Sequence, residues 1–198
     1  MDLTHPLKQL QLSGVLETLE VRNRQAIDDR WTDIEFLSRL LEDEVARRDQ
    51  KQLQLRLRRA TISTAKTLET FDFNFNPALN RQKVPDLATC GYIRQHHDVI
   101  LCGPTGTGKS HLAQGLACAA CEQGFHVLFV QTHKLLKHLN GGRTDGSFER
   151  RLNTYLRPHL LVLDDLGLHP LPPPGPSYRA RHRHQLGEGV FIEHETSA

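Results

Sequence analysis

The sequence predicts an α/β fold, in which helices flank a parallel sheet, preceded by a small all-helical domain. Short apolar runs alternate with helical segments between residues 98 and 168, which is typical of parallel βαβ units. A glycine-rich turn follows the first apolar run and precedes a helix. Residues 1–62 instead contain leucines at three- and four-residue steps and a single glycine, a pattern that indicates packed amphipathic helices.

Composition excludes several classes of protein. The 198 residues are 38% apolar and 24% charged, which suffices for one ordinary core and is not typical of a disordered chain. No apolar run approaches the ~18–20 residues of a membrane span, and the first residues lack the apolar segment of a signal peptide. Four cysteines in such a chain are typical of reduced thiols. We therefore expect a cytoplasmic protein with no membrane partner.

Residues 1–62 are predicted to form two or three packed helices. The longest begins at about position 32 and has an apolar face, which is expected to lie in the core of this domain: Ile34, Leu37, Leu41 and Val45. On the same helix, Asp43–Arg47 and Glu44–Arg48 have the i,i+4 spacing of stabilising ion pairs.

Residues 63–97 have the composition of a linker followed by a short helix. The stretch from Phe71 to Asn80 is rich in asparagine and contains Pro77, which argues against a long helix. The phenylalanines at positions 71, 73 and 75 are expected to pack on the following domain more than to stack on nucleic-acid bases. A short helix is predicted around Val84–His96.

Residues 98–168 are predicted to form the core. Three buried strands are expected, at Val99–Cys102, Val127–Val130 and Leu160–Leu163. Helices are expected at 109–123, 133–140 and 147–157, the last two separated by a glycine-containing loop at 141–146. After position 168 the regularity stops, and residues 169–198 are predicted to be a proline-rich and then basic irregular tail.

The turn from Gly103 to Ser110 matches the pattern G-x-x-x-x-G-K-[ST]. Glycines allow successive backbone N–H groups to point at phosphate oxygens, and a helix N-terminus adds its partial positive charge. Lys109 is expected to reach the β- and γ-phosphates of ATP, and Ser110 to ligate Mg²⁺. The alternative is a structural glycine-rich turn. The candidate nucleotide-binding residues are Gly103, Pro104, Thr105, Gly106, Thr107, Gly108, Lys109, Ser110 and His111.

Two acids end the third predicted strand, where ligands of open α/β sheets gather. Asp164 is expected to hold Mg²⁺ through water, and Asp165 could orient an attacking water. With Lys109 they form the candidate catalytic set. The alternative, that both acids merely end a strand, is weakened by the phosphate-binding turn earlier in the same core.

Five stretches together resemble the IstB-like ATP-binding proteins, helper ATPases of bacterial insertion sequences that are similar to DnaC-type helicase loaders of the AAA+ superfamily. The matching stretches are Leu7–Leu19, Leu37–Glu44, Lys66–Phe73, Gly103–Ser110 and Leu160–Leu171. The resemblance covers residues 1–176. It implies a P-loop AAA+ core and ATP-dependent homo-oligomers on duplex DNA that recruit or stimulate a transposase. Separately, one of the three phenylalanines is a candidate to line the adenine pocket, because their segment just precedes the nucleotide-binding strand.

The resemblance also implies a further sensor strand and an arginine finger beyond the acidic strand. Only 33 residues follow Asp165, and neither feature is identifiable among them. A frameshift near codon 176 is one explanation and a short variant with a basic tail is another. We expect a core that is incomplete at its C-terminus and that binds ATP better than it hydrolyses it. A DnaC-type replicative helicase loader and a truncated remnant are the alternative functions.

Basic residues concentrate between positions 47 and 59, where six of them face one acid for a local net charge of +5. Such a segment is typical either of sequence-independent contact with DNA phosphates or of a solvated helix face. The family resemblance favours DNA. The candidate DNA-binding residues are Arg47, Arg48, Lys51, Arg56, Arg58 and Arg59.

Overall fold

A computed structural model of the chain describes residues 3–74 and 79–166 in full and the backbone of residues 190–195. These residues form eight helices and four strands. They divide into two compact units, of which the first ends at Leu55 and the second begins at Arg56. The division falls inside the third helix rather than at the predicted position 62. Among the described helices, none combines the length and apolar character that a bilayer span requires.

The first unit contains α1 (Thr4–Gln9), α2 (Ser13–Asp28) and the first part of α3 (Asp33–Ala60). α2 and α3 approach each other closely at Gly14, where a Cβ atom would lie 2.8 Å from the Glu44 Cα. The Gly14 backbone N–H donates to Glu44 Oε2 at 2.6 Å. Because the Gly14 N–H belongs to the first turn of α2, this carboxylate satisfies a donor that the helix itself leaves unpaired.

Ion pairs join the same two helices. Arg22 binds Asp43 through two hydrogen bonds of 2.7 and 2.8 Å, and Arg47 binds Glu17 at 2.7 Å. The predicted Asp43–Arg47 pair is therefore wrong, because each partner is taken by a residue of α2. The predicted Glu44–Arg48 pair is present at 2.7 Å.

The predicted core face of α3 is solvent-exposed. Its residues retain about half or more of their accessible surface: Ile34 80%, Leu37 55%, Leu41 48% and Val45 58%. The side of α3 that is buried carries Leu40 and Glu44 instead. The periodicity identified an apolar stripe correctly, but it lies on a different side of the helix from the contacts with Gly14 and Arg22.

The second unit contains a parallel sheet in the order β1-β4-β3-β2. Its strands are β1 (Val99–Gly103), β2 (Val127–Gln131), β3 (Leu160–Leu166) and β4 (Val190–Glu195). Val127 aligns with Leu160 across β2 and β3. Leu160 and Val162 are almost completely buried together with Leu116 of the neighbouring helix, and these side chains form the centre of the core.

The strand β4 corrects the expected irregular tail. Residues 190–195 pair with β1 on one side and with β3 on the other. Without this strand, β1 and β3 would each present an unpaired backbone edge, and backbone groups in a core require partners. The sequence Val190–Ile192 is an apolar run, which is typical of central strands in parallel sheets. The remainder of the predicted tail, residues 167–189 and 196–198, lies outside the described residues.

Five helices accompany the sheet: α4 (Lys83–Ala88), α5 (Gly91–Arg94), α6 (Lys109–Glu122), α7 (Thr132–Thr144) and α8 (Phe148–Leu156). The single helix predicted around Val84–His96 is two, because Cys90 adopts a left-handed conformation with φ of 57°. The predicted glycine-containing loop at 141–146 is largely helical. A Cβ atom on Gly142 would lie 2.9 Å from the Phe148 Cα, so glycine here permits α7 and α8 to approach closely.

Candidate functional site

The turn between β1 and α6, residues Gly103–Ser110 and hereafter the phosphate loop, has the backbone of an anion-binding loop. Gly106 and Gly108 have φ values of 81° and 86°, a region that favours glycine. Gly108 directly precedes the first residue of α6, so the loop ends at a helix N-terminus with its unpaired N–H groups. A Cβ atom on Gly106 would meet nothing within 4 Å, so this part of the loop is open.

Lys109 lies over its own loop. Its side chain is largely buried, with 8% of the residue exposed, and Nζ donates to the Pro104 carbonyl at 2.9 Å. Thr107 Oγ1 donates to the same carbonyl at 2.9 Å. The ammonium group is therefore held beside the loop, where an incoming phosphate oxygen can replace the carbonyl as its acceptor.

Two candidate metal ligands meet where α6 begins and β3 approaches its carboxyl end. Ser110 Oγ donates to Asp164 Oδ1 at 3.2 Å, although 54 positions separate the two residues. Asp164 is 7% exposed, and the Asp165 backbone N–H also donates to its Oδ1, at 3.1 Å. Thr132 Oγ1 donates to the Asp164 carbonyl at 2.9 Å. A hydroxyl and a carboxylate so placed are oxygen ligands suited to Mg²⁺.

A cavity of about 410 Å³ adjoins the phosphate loop, within the size range of small-ligand sites. Apolar side chains form part of its lining, and Thr107 and Lys109 of the phosphate loop form another part. Phe71 lines it and is 8% exposed. Of the two described phenylalanines of this segment, Phe71 is the one that reaches the cavity.

Sequence reasoning missed two polar residues of this cavity. Asn80 and Lys83 line it beside Cys102 of β1. The only signal was their position shortly before the nucleotide-binding strand, in a segment without a motif. Their amide and ammonium groups are suited to hydrogen bonds with the polar edge of a nucleoside.

His111 anchors the linker instead of pointing freely from the helix. Its Nε2 donates to the Thr67 carbonyl at 3.1 Å and lies 3.2 Å from Thr70 Oγ1. Its ring meets the Phe71 ring edge-on, with 5.3 Å between centroids. The side chain thus holds Phe71 beside the phosphate loop, and direct contact of His111 with nucleotide stays a prediction.

The basic residues predicted to bind DNA have different surroundings. Arg47 and Arg48 are each paired with a carboxylate, of Glu17 and Glu44 respectively. Arg56 Nη1 donates to the Cys121 carbonyl at 2.8 Å. Lys51, Arg58 and Arg59 are exposed. The DNA-binding role of all six stays a prediction.

The cysteines of α6 have the properties of packing residues. Cys118 and Cys121 are buried. Burial raises the pKa of both thiols, to about 12 for Cys121, so each remains protonated at neutral pH and is a poor nucleophile or metal ligand.

The phosphate loop between a parallel strand and a helix, with an acidic strand end beside its serine, defines a P-loop nucleotide-binding protein. Its fold is similar to that of AAA+ proteins of replication. The DnaC helicase loader superposes with a TM-score of 0.57 at 24% identity, over 68% of this chain and 79% of the loader. DnaA from Aquifex aeolicus, bound to AMPPCP, superposes with a TM-score of 0.57 at 19% identity, over 69% and 43%. The predicted fold class is confirmed.

The chain belongs to the family of IstB-like ATP binding proteins, whose sequence model matches residues 5–176. It is 41% identical over 166 residues to an insertion-sequence ATP-binding protein of Mycobacterium tuberculosis, covering 84% of this chain and 66% of the relative. It is 33% identical over 165 residues to the IS21 ATP-binding protein of Pseudomonas aeruginosa, covering 83% and 62%. The chain thus spans less than two thirds of the length of either relative. The predicted family is confirmed, and membership implies nucleotide binding.

Proposed function

We propose that the chain binds MgATP at the phosphate loop and acts as an ATP-dependent helper of transposition, assembling as a homo-oligomer on duplex DNA and recruiting or stimulating a transposase. The contact between Ser110 Oγ and Asp164 Oδ1 at 3.2 Å, beside a loop that ends at a helix N-terminus, carries the nucleotide part of the proposal. Family membership supports the transposition part.

Each residue of the site has a distinct role in this proposal. The backbone N–H groups of the phosphate loop donate to phosphate oxygens, and Lys109 exchanges the Pro104 carbonyl for the β- and γ-phosphates. Ser110 and Asp164 hold Mg²⁺, Asp164 through water, since this cation keeps several waters in proteins. Asp165 orients the water that attacks the terminal phosphate. Slow turnover, expected from the sequence, stays a prediction.

The proposed partners follow from charge and from the family. Six basic residues within positions 47–59 supply cations for a DNA backbone. The relatives are named as insertion-sequence proteins, and transposition requires a transposase that acts on the same DNA. Oligomers would place several chains along one duplex.

A sedimentation experiment tests the proposal. The chain is mixed with a 50-base-pair duplex, with and without MgATP, and then in parallel with the transposase of an insertion sequence or with a hexameric helicase. We expect larger DNA complexes with MgATP and retention of the transposase on them. Ser110→Ala should abolish the response to MgATP, whereas Ser38→Ala, an exposed serine on α3, should not. Complexes indifferent to MgATP contradict the proposal, and retention of a hexameric helicase in place of the transposase would support the helicase-loader function instead.

A further inference from the structure

A small cavity opens at the end of the sheet opposite the phosphate loop. Its volume is about 230 Å³, and it lies where β2 begins and just before β3 begins. Its lining includes Arg56, Arg59, His126, Thr154, Arg157 and Pro158. We call it the basal pocket. All its lining residues belong to the second unit.

The basal pocket is cationic and has no carboxylate in its lining. Three arginines and one histidine line it, together with Thr154, whose hydroxyl donates to the Arg150 carbonyl at 3.4 Å. Within the described part of the chain, neither Arg59 nor Arg157 forms an ion pair with a carboxylate, whereas Arg22, Arg47, Arg48 and Arg151 all do. Guanidinium groups gathered without a carboxylate repel one another, and an anion between them removes that repulsion.

Both sides of the basal pocket are held by hydrogen bonds, to α6 and β2 on one side and between the residues that precede β2 and β3 on the other. On one side, Arg56 Nη1 donates to the carbonyl of buried Cys121 at 2.8 Å, and Thr61 Oγ1 donates to the Phe129 carbonyl at 2.6 Å. On the other side, the His126 backbone N–H donates to His159 Nδ1 at 2.9 Å. A pocket whose walls are held in this way loses little conformational entropy when it binds a ligand.

We propose that the basal pocket binds a phosphodiester group of a duplex DNA backbone, with Arg59 and Arg157 as its principal donors. The inference rests on the proposed action of the chain on DNA and assigns that action to one site. Guanidinium groups bind phosphate through paired hydrogen bonds. Arg157 was not among the residues predicted from the sequence, since it lies almost 100 positions beyond the basic segment that supplies Arg59.

The basal pocket and the phosphate loop lie at opposite ends of the sheet, so the proposed DNA and nucleotide sites are separate. The phosphate loop follows the carboxyl end of β1, whereas the basal pocket lies at the amino ends of β2 and β3, which run parallel to the rest of the sheet. Five residues of strand span ~16 Å. Both ligands can therefore bind at once, and a change in the basal pocket should leave ATP affinity intact.

The test measures duplex affinity over a series of salt concentrations for the full chain and three variants. Arg59→Gln and Arg157→Gln should each weaken binding about tenfold and lower the slope of log affinity against log salt by about 1. Arg24→Gln is the matched control, because it removes the same charge from an exposed arginine that lies outside both the pocket and the basic segment at positions 47–59. Binding of a fluorescent ATP analogue should be equal in all four proteins and shows that each is folded.

Each result decides between explanations. If Arg24→Gln weakens DNA binding as much as Arg59→Gln, the loss reflects the net charge of the chain and the proposed pocket is wrong. If the wild-type chain binds DNA and Arg59→Gln and Arg157→Gln bind equally well, the pocket alone is wrong. If the wild-type chain binds no duplex, both the pocket and the proposed action on DNA are wrong. If inorganic phosphate raises the melting temperature of the wild-type chain but not of Arg59→Gln, while duplex affinity is unchanged, the pocket serves free phosphate and not DNA.

Discussion

Ser110 Oγ and Asp164 Oδ1 lie 3.2 Å apart, although one begins a helix and the other ends a strand two strands further along the chain. Ser110→Ala removes the hydroxyl without changing the loop backbone. We expect ATP affinity in the presence of Mg²⁺ to fall to the value measured with EDTA, because the one direct protein ligand that we assign to the cation is lost. Calorimetric titration checks this. A Ser110→Ala protein that still responds to Mg²⁺ as the wild type does would show that this oxygen pair is not the metal site.

One exposed thiol lines the cavity beside the phosphate loop. Cys102 is exposed and lines that cavity, whereas Cys90, Cys118 and Cys121 are buried. Burial raises the pKa of these three thiols, so iodoacetamide should modify Cys102 first. We expect ATP to slow this reaction, as followed by peptide mass spectrometry.

A Cys102→Ser protein provides the control for the alkylation experiment, since it should lose the fast phase. Equal rates with and without ATP would place the nucleotide away from Cys102.

Two neighbouring glycines of α7 should differ in how much stability they lose on substitution by alanine. A Cβ atom on Gly142 would lie 2.9 Å from the Phe148 Cα, which is backbone and cannot move without α8. On Gly141 it would meet only the far end of the Arg151 side chain, at 2.7 Å. Gly142→Ala should therefore lower the free energy of unfolding by about 1–3 kcal/mol. Gly141→Ala should cost less, because alanine favours the helix by roughly 1 kcal/mol.

Urea unfolding of both variants checks the glycine prediction. Equal losses of stability would contradict the close approach of α7 and α8 at Gly142.

The Arg22–Asp43 pair should make the first unit sensitive to acid. The hydrogen bonds from Arg22 lower the pKa of Asp43 from 3.8 to about 2, against an opposing effect of burial. A carboxylate with a lowered folded-state pKa stabilises the fold above its unfolded pKa, and the contribution is lost as pH falls through the folded pKa. The stability difference between wild type and Asp43→Asn should thus be constant above about pH 5 and shrink between pH 4 and pH 2.

Thermal unfolding by circular dichroism measures this difference, with Asp49→Asn, an exposed acid on the same helix, as the control. A difference that does not change with pH would contradict the Arg22–Asp43 contribution.

The phosphate loop was predictable from the sequence because the residues that define it lie within one short segment. Strand, glycine positions, lysine and serine follow one another within twelve residues, and each has one conformational requirement. The approach of Asp164 followed from the rule that parallel strands deliver their carboxyl ends to one edge.

Other features depended on partners that periodicity does not reveal. The stripe from Ile34 to Val45 shows that α3 has an apolar side, but not that α2 packs on another side, at Leu40 and Glu44. Gly142 appeared to end a helix, yet it permits contact with α8. Arg157 and Arg59 line the same pocket, which lies at the amino ends of β2 and β3. In each case the deciding contact joins two different elements of the fold.

The central claim is that the phosphate loop binds ATP through Lys109, and calorimetric titration of the full chain with ATP and Mg²⁺ tests it most directly. The matched variants are Lys109→Ala and Lys134→Ala, the second being an exposed lysine on α7. Wild type and Lys134→Ala should bind ATP equally, and Lys109→Ala about tenfold or more weakly, as expected for the loss of a charged hydrogen-bond donor. Equal binding by all three proteins, or no binding by the wild type, would contradict the claim.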